Sequence, residues 1–547
     1  MKYTILLAAL LVSVRMVAYG EAPAASLLTE PPPQSAKLNE IFNFTAKEGY
    51  HFNVEAPQAC GAGEAFDVST ASLKCQFMQS GEQAVSLKLC AEKSPLCLFE
   101  EFTVTVEGPG GGAKAASVAD APALEPPLPG FVLNTPDAAL RQAAKEGKLL
   151  FIDFFGKWCP SCRLMDDTAL VHPAFLEASA GMVRLSLDID LPEAREWLTR
   201  FRVSSYPTYV ITDSRLREIG RLAGSLSPEA FTVWVREQES WKDKPIGEAK
   251  TGALFLGEAG KMRVAKAYIG EKKWALARQL LGGIKTRTAR YLEAACLVNE
   301  AEASGANNLA ELYRNTATKF DGSDGEEAEI GVVDWIAALQ KLDPAAAKPW
   351  LDAMDDLAAR LTASRAVIEE GYAPADVYIT IADALSGAGL TERADDFYFR
   401  AAAEYAAAAD KVARPQDAKG LRMNHARNLS LAHRYEKAAA AYAALTEQFP
   451  DEYAFHRSYA GTLRKLKKYP QAQHEAELAA NLAYGDIRLD ILFMKAEIEM
   501  EQKDKAQALK TLNEAIASVE LPGDAKLRTH GAFRRLKNLR KEVENSN

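Results

Sequence analysis

The chain has 547 residues, 48% of them hydrophobic and 25% charged, and a net charge of -9. At ~100–200 residues per domain this describes a globular protein of roughly three or four domains. The acidic balance leaves no basic stripe to follow a phosphate backbone, so nucleic acid is not an expected partner.

The first segment, MKYTILLAALLVSVRMVAYGEA, starts with Lys2, runs apolar from Ile5 to Val14 and offers the small residues Ala18 and Gly20 to a signal peptidase. That pattern predicts an export signal over residues 1–20 and hence a periplasmic or otherwise exported protein. The run falls short of the ~20 apolar residues that span a bilayer, and Arg15 interrupts it, so a retained anchor is the lesser reading. Outside the cytosol cysteines are more often paired or catalytic than idle. The chain has seven, at 60, 75, 90, 97, 159, 162 and 296.

Residues 21–36, EAPAASLLTEPPPQSA, have the composition of a flexible arm. The runs IFNF, YHFNV, AVSLKL and FTVTV, broken by glycine and proline, predict a small all-β unit over 37–107. Residues 108–130, rich in glycine, alanine and proline, read as a tether. From 131 to 240 strands and helices alternate. Thr135 and Pro136 open a helix, KLLFIDFF suits a strand buried on both faces, and a helix follows from Pro160. VRLSLDI is the next strand and LPEAREWLTRF the next helix. YPTYVIT and LREIGRL form a hairpin through Asp213 and Ser214, and a last helix starts with Ser227 as its cap. This alternation predicts an α/β domain on a mixed sheet.

From 250 to 547 the strand signals give way to Ala-rich helical periodicity. Alanines twelve apart recur as Ala265/Ala277, Ala382/Ala394, Ala426/Ala438, Ala460/Ala472 and Ala496/Ala508, and Ala426 and Ala460 lie 34 apart. Small residues at those points let paired antiparallel helices approach closely. The pattern resembles tetratricopeptide (TPR) repeats, whose small, small, aromatic and proline positions match Ala426, Ala438, Tyr442 and Pro450. The match is good from 419 to 518 and poor between 285 and 375. The resemblance implies a concave surface for protein partners.

The chemistry concentrates in FIDFFGKWCPSCRLMDD, residues 151–167. A structural zinc site needs a second Cys or Cys/His pair at suitable spacing, and none stands nearby. His172, in a His-Pro break, reads as a loop residue, and neither metal nor cofactor is expected. At the junction of a buried strand and a helix, Cys159 would lie at the positive end of the helix dipole with free N–H groups aimed at its sulfur. Lys157 and Arg163 flank the pair and favour the thiolate, which is the attacking species. Cys162, one turn on, is placed to resolve a mixed disulfide. Asp153, in an apolar strand without a cationic neighbour in sequence, should titrate high and could pass protons to the sulfur. Its alternative is a strand-edge acid bonded to backbone.

WCPSC, Asp153 and the Tyr206-Pro207-Thr208 run together resemble a thioredoxin-fold domain. The resemblance implies a cis Pro207 that, with Trp158 and the backbone of Tyr206, shapes the groove where a client segment docks beside Cys159. Arg184 falls where thioredoxins carry a lysine near the buried acid. KLLFIDFFGKWCPSC, HPAF and SSYPTYVITD are similar to the C-terminal domain of the disulfide interchange family DsbD. EGYHFNVEAP with LKLCAEKSPLCLFEEFTVTV is similar to that family's N-terminal immunoglobulin-like domain. There, the resemblance implies a second redox pair, here Cys90 and Cys97. A structural role for these two remains the alternative, with Cys60 and Cys75 as a structural disulfide. Cys296 reads as a buried free thiol.

The family's membrane domain has no counterpart here, since a tether stands between the two soluble parts. Electrons for a relay would then come from a separate membrane donor or thiol reductant. The expectation is an exported thiol-disulfide oxidoreductase in which Cys159 attacks a protein client and Cys162 releases it. The rival is a non-enzymatic scaffold whose repeats do the work and whose thioredoxin fold only binds.

Overall fold

The computed structural model describes residues 28–30, 33, 35–37, 41–52, 59–60, 64–66, 68–76, 81–91, 97–107 and 128–546. The expected signal over 1–20 and nearly all of the 108–130 tether lie outside them. The chain divides into two compact units between residues 117 and 118. Among the described residues no helix is long and apolar enough to cross a membrane.

In the first unit the described elements are strands: β1 (Ser35–Lys37), β2 (Ile41–Thr45), β3 (Tyr50–Phe52), β4 (Ala59–Cys60), β5 (Glu64–Phe66), β6 (Ser72–Gln76), β7 (Gly81–Ala91) and β8 (Cys97–Glu107). One sheet runs β1-β8-β7-β3 with β4 also on β7, and the other runs β2-β6-β5. Val85, Leu87 and Leu89 on β7, with Val104 and Val106 on β8, alternate inward at the period of two and meet Phe52 and Leu73 in the core. Within the stretch read as an arm, Leu28 is buried and bridges Ala46, and β1 pairs in parallel with β8, so the described apolar residues there join this core; residues 21–27 lie outside the described ones.

The second unit begins with a five-stranded sheet of order β13-β12-β10-β11-β9, built from β9 (Phe131–Leu133), β10 (Leu149–Phe155), β11 (Met182–Asp188), β12 (Thr208–Thr212) and β13 (Glu218–Ala223). β9, β11 and β10 are parallel, and the β12–β13 hairpin closes the edge antiparallel. The helices are α1 (Pro136–Glu146), α2 (Pro160–Asp167), α3 (Pro173–Ala178), α4 (Arg195–Phe201) and α5 (Pro228–Ser240). β10 is buried on both faces. Ile152 and Phe154 pack toward α1 and α4, whereas Phe151 packs toward α2, α3 and α5 through Met165, Phe175 and Phe231. The period of two places Asp153 on the face of Phe151, beneath α2. Thr135 occupies the N-cap of α1 without a side-chain bond, while Ser227 caps α5 by accepting from the Ala230 N–H.

From Ile246 onward the described elements are helical, apart from connecting turns. Helix pairs follow in series, among them Glu258–Gly270 with Trp274–Leu281, Pro374–Gly387 with Thr391–Ala409, Lys419–Leu431 with Tyr435–Gln448, Tyr453–Lys465 with Tyr469–Leu482, and Gly485–Glu501 with Lys505–Ala517. Each pair carries one of the five alanine doublets, and all ten alanines are fully buried. An alanine facing an alanine is the condition for that close approach. Between 287 and 363 the repeat signal is weak, yet helices continue there around Phe320, Trp335, Leu339 and Leu357. The last helix, Arg528–Asn545, packs Leu536 and Val543 on the preceding pair.

Candidate functional site

β10 ends at Phe155, and four residues later the chain turns into α2 with Cys159 at its N-cap in an extended conformation. Pro160 takes the first helical position, where its missing N–H leaves nothing unbonded. Cys159 and Cys162 are joined as a disulfide. The Cys162 N–H donates to the Cys159 sulfur at 3.2 Å, so the helix start directs a backbone donor at that atom. Across the groove the same sulfur lies 3.7 Å from the Tyr206 carbonyl oxygen. The Tyr206–Pro207 peptide is cis. Cys159 is 5% exposed and Cys162 1%. The structure therefore brings Trp158, Cys159, Cys162, Tyr206 and Pro207 together, with the Trp158 and Tyr206 rings edge to face at 6.1 Å.

Asp153 is fully buried. Its Oδ2 accepts from the Ser186 hydroxyl at 3.1 Å, and its Oδ1 has no protein partner. Burial pushes its carboxyl well above the ordinary range, and Asp166 on α2 adds to the rise while Ser186 opposes it. Among the described residues no hydrogen bond joins it to either cysteine. Arg184 bonds Ser179 at 3.3 Å and lies over the Phe131 ring. His172 caps α3, accepting from the Ala174 N–H at 3.3 Å.

The Arg163 guanidinium donates to the Lys157 carbonyl at 3.1 Å and pairs with Glu452 at 2.9 Å, both side chains of the ion pair being nearly out of solvent. Lys157 lies over the ring of Tyr484. Both contacts lead into the helical region, and they are not isolated. Asp167, at the end of α2, accepts from the backbone N–H groups of Gly420 at 2.6 Å and Leu421 at 3.1 Å. These are orphan donors at the start of the Lys419–Leu431 helix, so the acid caps a helix of another domain. Burial lifts Asp167 to about 7 despite those bonds. Asn424 donates to the Pro160 carbonyl at 2.8 Å.

Past β11, Asp188 accepts from the Tyr484 hydroxyl. Asp190 accepts from Trp158 Nε1 at 2.8 Å and pairs with Arg528 at 2.8 Å. Arg528 lies over the Trp158 ring at 4.9 Å and also binds Asp490 at 2.9 Å. Burial raises both acids, and Asp190 reaches about 8, Arg528 pulling it down and Asp188 pushing it up. Two glycines permit the approach. An added Cβ on Gly420 would run into the Arg163 backbone, and one on Gly485, whose φ is +56°, into that of Asp190. Sequence reasoning missed Asp167, Asp188, Asp190, Glu452, Tyr484 and Arg528. The one local signal was the acid pair in LSLDIDLP, two aspartates directly after an apolar strand.

In the first unit Cys60 and Cys75 form a disulfide that ties β4 of one sheet to β6 of the other. Cys90 is disulfide-bonded, and its register partner across the β7–β8 hairpin is Cys97. Cys296 is a buried free thiol, raised to about 11 by burial and Glu300.

A dithiol at the tip of a helix, facing a cis proline and backed by a buried acid on the central strand, defines a thioredoxin-fold thiol–disulfide protein. Residues 132–214 match the family described as thioredoxin-like. Thioredoxin-1 of Drosophila melanogaster is 36% identical over 83 residues, which are 15% of this chain and 70% of that protein. The chain belongs to the thioredoxin family. The thiol:disulfide interchange protein DsbD of Pseudomonas fluorescens is 30% identical over 107 residues, 19% of this chain, and the match spans only 18% of that relative's length. A tetratricopeptide repeat protein from Parabacteroides merdae aligns with 51% of this chain and 99% of its own at 12% identity and a TM-score of 0.27.

Proposed function

We propose that the protein is an exported thiol–disulfide oxidoreductase acting on protein clients through Cys159 and Cys162. The observation that carries this is the Cys159 sulfur, bonded by the Cys162 N–H and set 3.7 Å from the carbonyl of Tyr206. In the reduced enzyme the Cys159 thiolate attacks one sulfur of a client disulfide, and the other client sulfur leaves as a thiolate. A mixed disulfide results. Cys162 then gives up its proton, attacks the Cys159 sulfur and releases the second client thiol, leaving the enzyme oxidised as in this structure and the client reduced by two electrons. Asp153 takes the proton of Cys162, and in the oxidising direction returns it. Trp158, Tyr206 and Pro207 form the docking groove.

The β-unit is read as immunoglobulin-like, with Cys90 and Cys97 as a second exchanging pair and Cys60–Cys75 as a structural bond. A separate membrane donor or thiol reductant supplies electrons, and the helical repeats bind protein partners. The scaffold reading draws on one observation, the near-complete burial of Cys159.

Cys162→Ala tests the proposal, because without the resolving thiol clients stay attached to Cys159. The expected result is a set of reducible adducts that vanish in Cys159→Ser. If no such adducts form and Cys159→Ser restores every phenotype of a deletion strain, the scaffold reading holds instead.

A further inference from the structure

The disulfide is flanked in sequence by residues that touch the helical region. Before it stand Lys157 on Tyr484 and Trp158 under Arg528. After it, Pro160 bonds Asn424, Arg163 pairs with Glu452 and Asp167 caps the helix that starts at Lys419. Across the groove, the Tyr206 phenol lies in the field of Arg528. The helical region thus stands over the face that a client must approach.

We infer that this region is a size-selecting cover on the dithiol, held shut chiefly by Glu452, Tyr484 and Arg528. Small disulfides and narrow extended segments reach Cys159, and a folded client reaches it only after the cover swings away. The inference rests on the exchange reading above.

One property of the contact favours opening as a unit. The bonds that cross it include the Arg163–Glu452 and Arg528–Asp190 ion pairs and the Tyr484–Asp188 hydrogen bond. Apolar contact accompanies them, Trp158 and Leu191 on the cluster of Tyr453 and Ile487, Leu164 on that of Tyr405 and Leu421, and Leu527 on that of Ile152 and Trp197. Charged groups lose the cost of desolvation when water returns, which offsets part of the cost of opening. When one partner of a buried pair is removed, the closed state keeps an uncompensated charge and the open state solvates it.

The test uses the reduced full-length chain with two substrates, a small aromatic disulfide and insulin. The wild type is expected to react readily with the first and slowly with the second. Glu452→Gln combined with Tyr484→Phe should raise the insulin rate by about tenfold or more and leave the small-disulfide rate within roughly twofold, since a lost buried pair shifts the opening equilibrium by at least that factor. An unchanged ratio of the two rates in a folded double variant overturns the cover. A small-disulfide reaction that Cys159→Ser does not abolish overturns the exchange reading instead. Should the double variant fail to fold, the wild type decides alone. Cys159 is alkylated with iodoacetamide and with a maleimide bearing a long polyethylene glycol chain, each rate taken against the urea-unfolded chain. Selective protection from the large reagent supports the cover, and equal protection overturns it.

Discussion

Asp167 offers the sharpest quantitative test, because one carboxyl does two separable things. Its Oδ2 accepts two backbone N–H groups of the Lys419–Leu431 helix, at 2.6 and 3.1 Å. It also sits where burial lifts it from 3.8 to about 7. Asp167→Asn keeps an acceptor oxygen and removes the ionisation; Asp167→Ala removes both. The folded protein holds a proton that the unfolded chain releases between pH 3.8 and about 7, so wild-type stability is lost as pH rises through that window and is level above it. Asn has no such slope. Its advantage over the wild type is therefore nil below about pH 4, grows by ~1.4 kcal/mol per pH unit, and reaches at most ~4 kcal/mol above about pH 7. Ala lies below Asn at every pH by ~2–4 kcal/mol, the cost of a lost cap with two donors stranded. Hydrogen exchange at the Gly420 and Leu421 amides, compared between variants at each pH, reads these opening energies directly. A difference between Asn and wild type that is flat from pH 4 to 8 refutes the buried-acid argument, and equality of Ala with Asn refutes the cap.

Further outcomes follow from other parts of the structure. Asp153→Asn removes a fully buried acid that titrates high; the variant should exceed the wild type in stability by a margin that grows as pH rises above the ordinary carboxylate range, while mixed-disulfide release slows by about 10²-fold, as single-turnover kinetics will show. Cys60→Ala with Cys75→Ala opens a loop closed over 15 residues, and urea unfolding of the β-unit should move down by ~3 kcal/mol, with Cys159 chemistry unaltered. Gly485→Ala pushes a methyl group into the Asp190 backbone. It should raise the exchange of amides in Gly485–Glu501 and cost on the order of 1–3 kcal/mol, whereas Gly523→Ala, with open space around it, should cost far less.

Much of this fold was legible because its signals are local. LLFIDFF reads as a strand buried on both faces, and WCPSC sits at the strand-to-helix junction that its chemistry needs. The alanine doublets mark contacts between adjacent helices, which lie within one repeat in sequence. The surroundings of the cysteines were not legible, for the same reason inverted. Asp167 meets Gly420 across 253 residues, Arg163 meets Glu452 across 289, Asp188 meets Tyr484 across 296 and Asp190 meets Arg528 across 338. Nothing in the run LDIDLP tells a pair of buried, partnered acids from a solvated turn. Arg163 illustrates the limit: next to a cysteine in sequence, it reads as that cysteine's cation, and nothing local shows that it also pairs with Glu452.

The long separation of Arg528 from α2 also sets an order of events. The chain emerges N-terminus first, from a ribosome or an export channel, and 288 residues separate Ser240, where the thioredoxin portion ends, from Arg528 (528 minus 240). At ~5–20 residues per second the thioredoxin portion is complete roughly 15–60 s before the C-terminal helix arrives. Until then Trp158 and Asp190 lack the Arg528 guanidinium that packs on the one and pairs with the other. If the helical region is the cover inferred above, each newly made molecule passes once through an uncovered state, and a premature stop anywhere before residue 420 would make that state permanent.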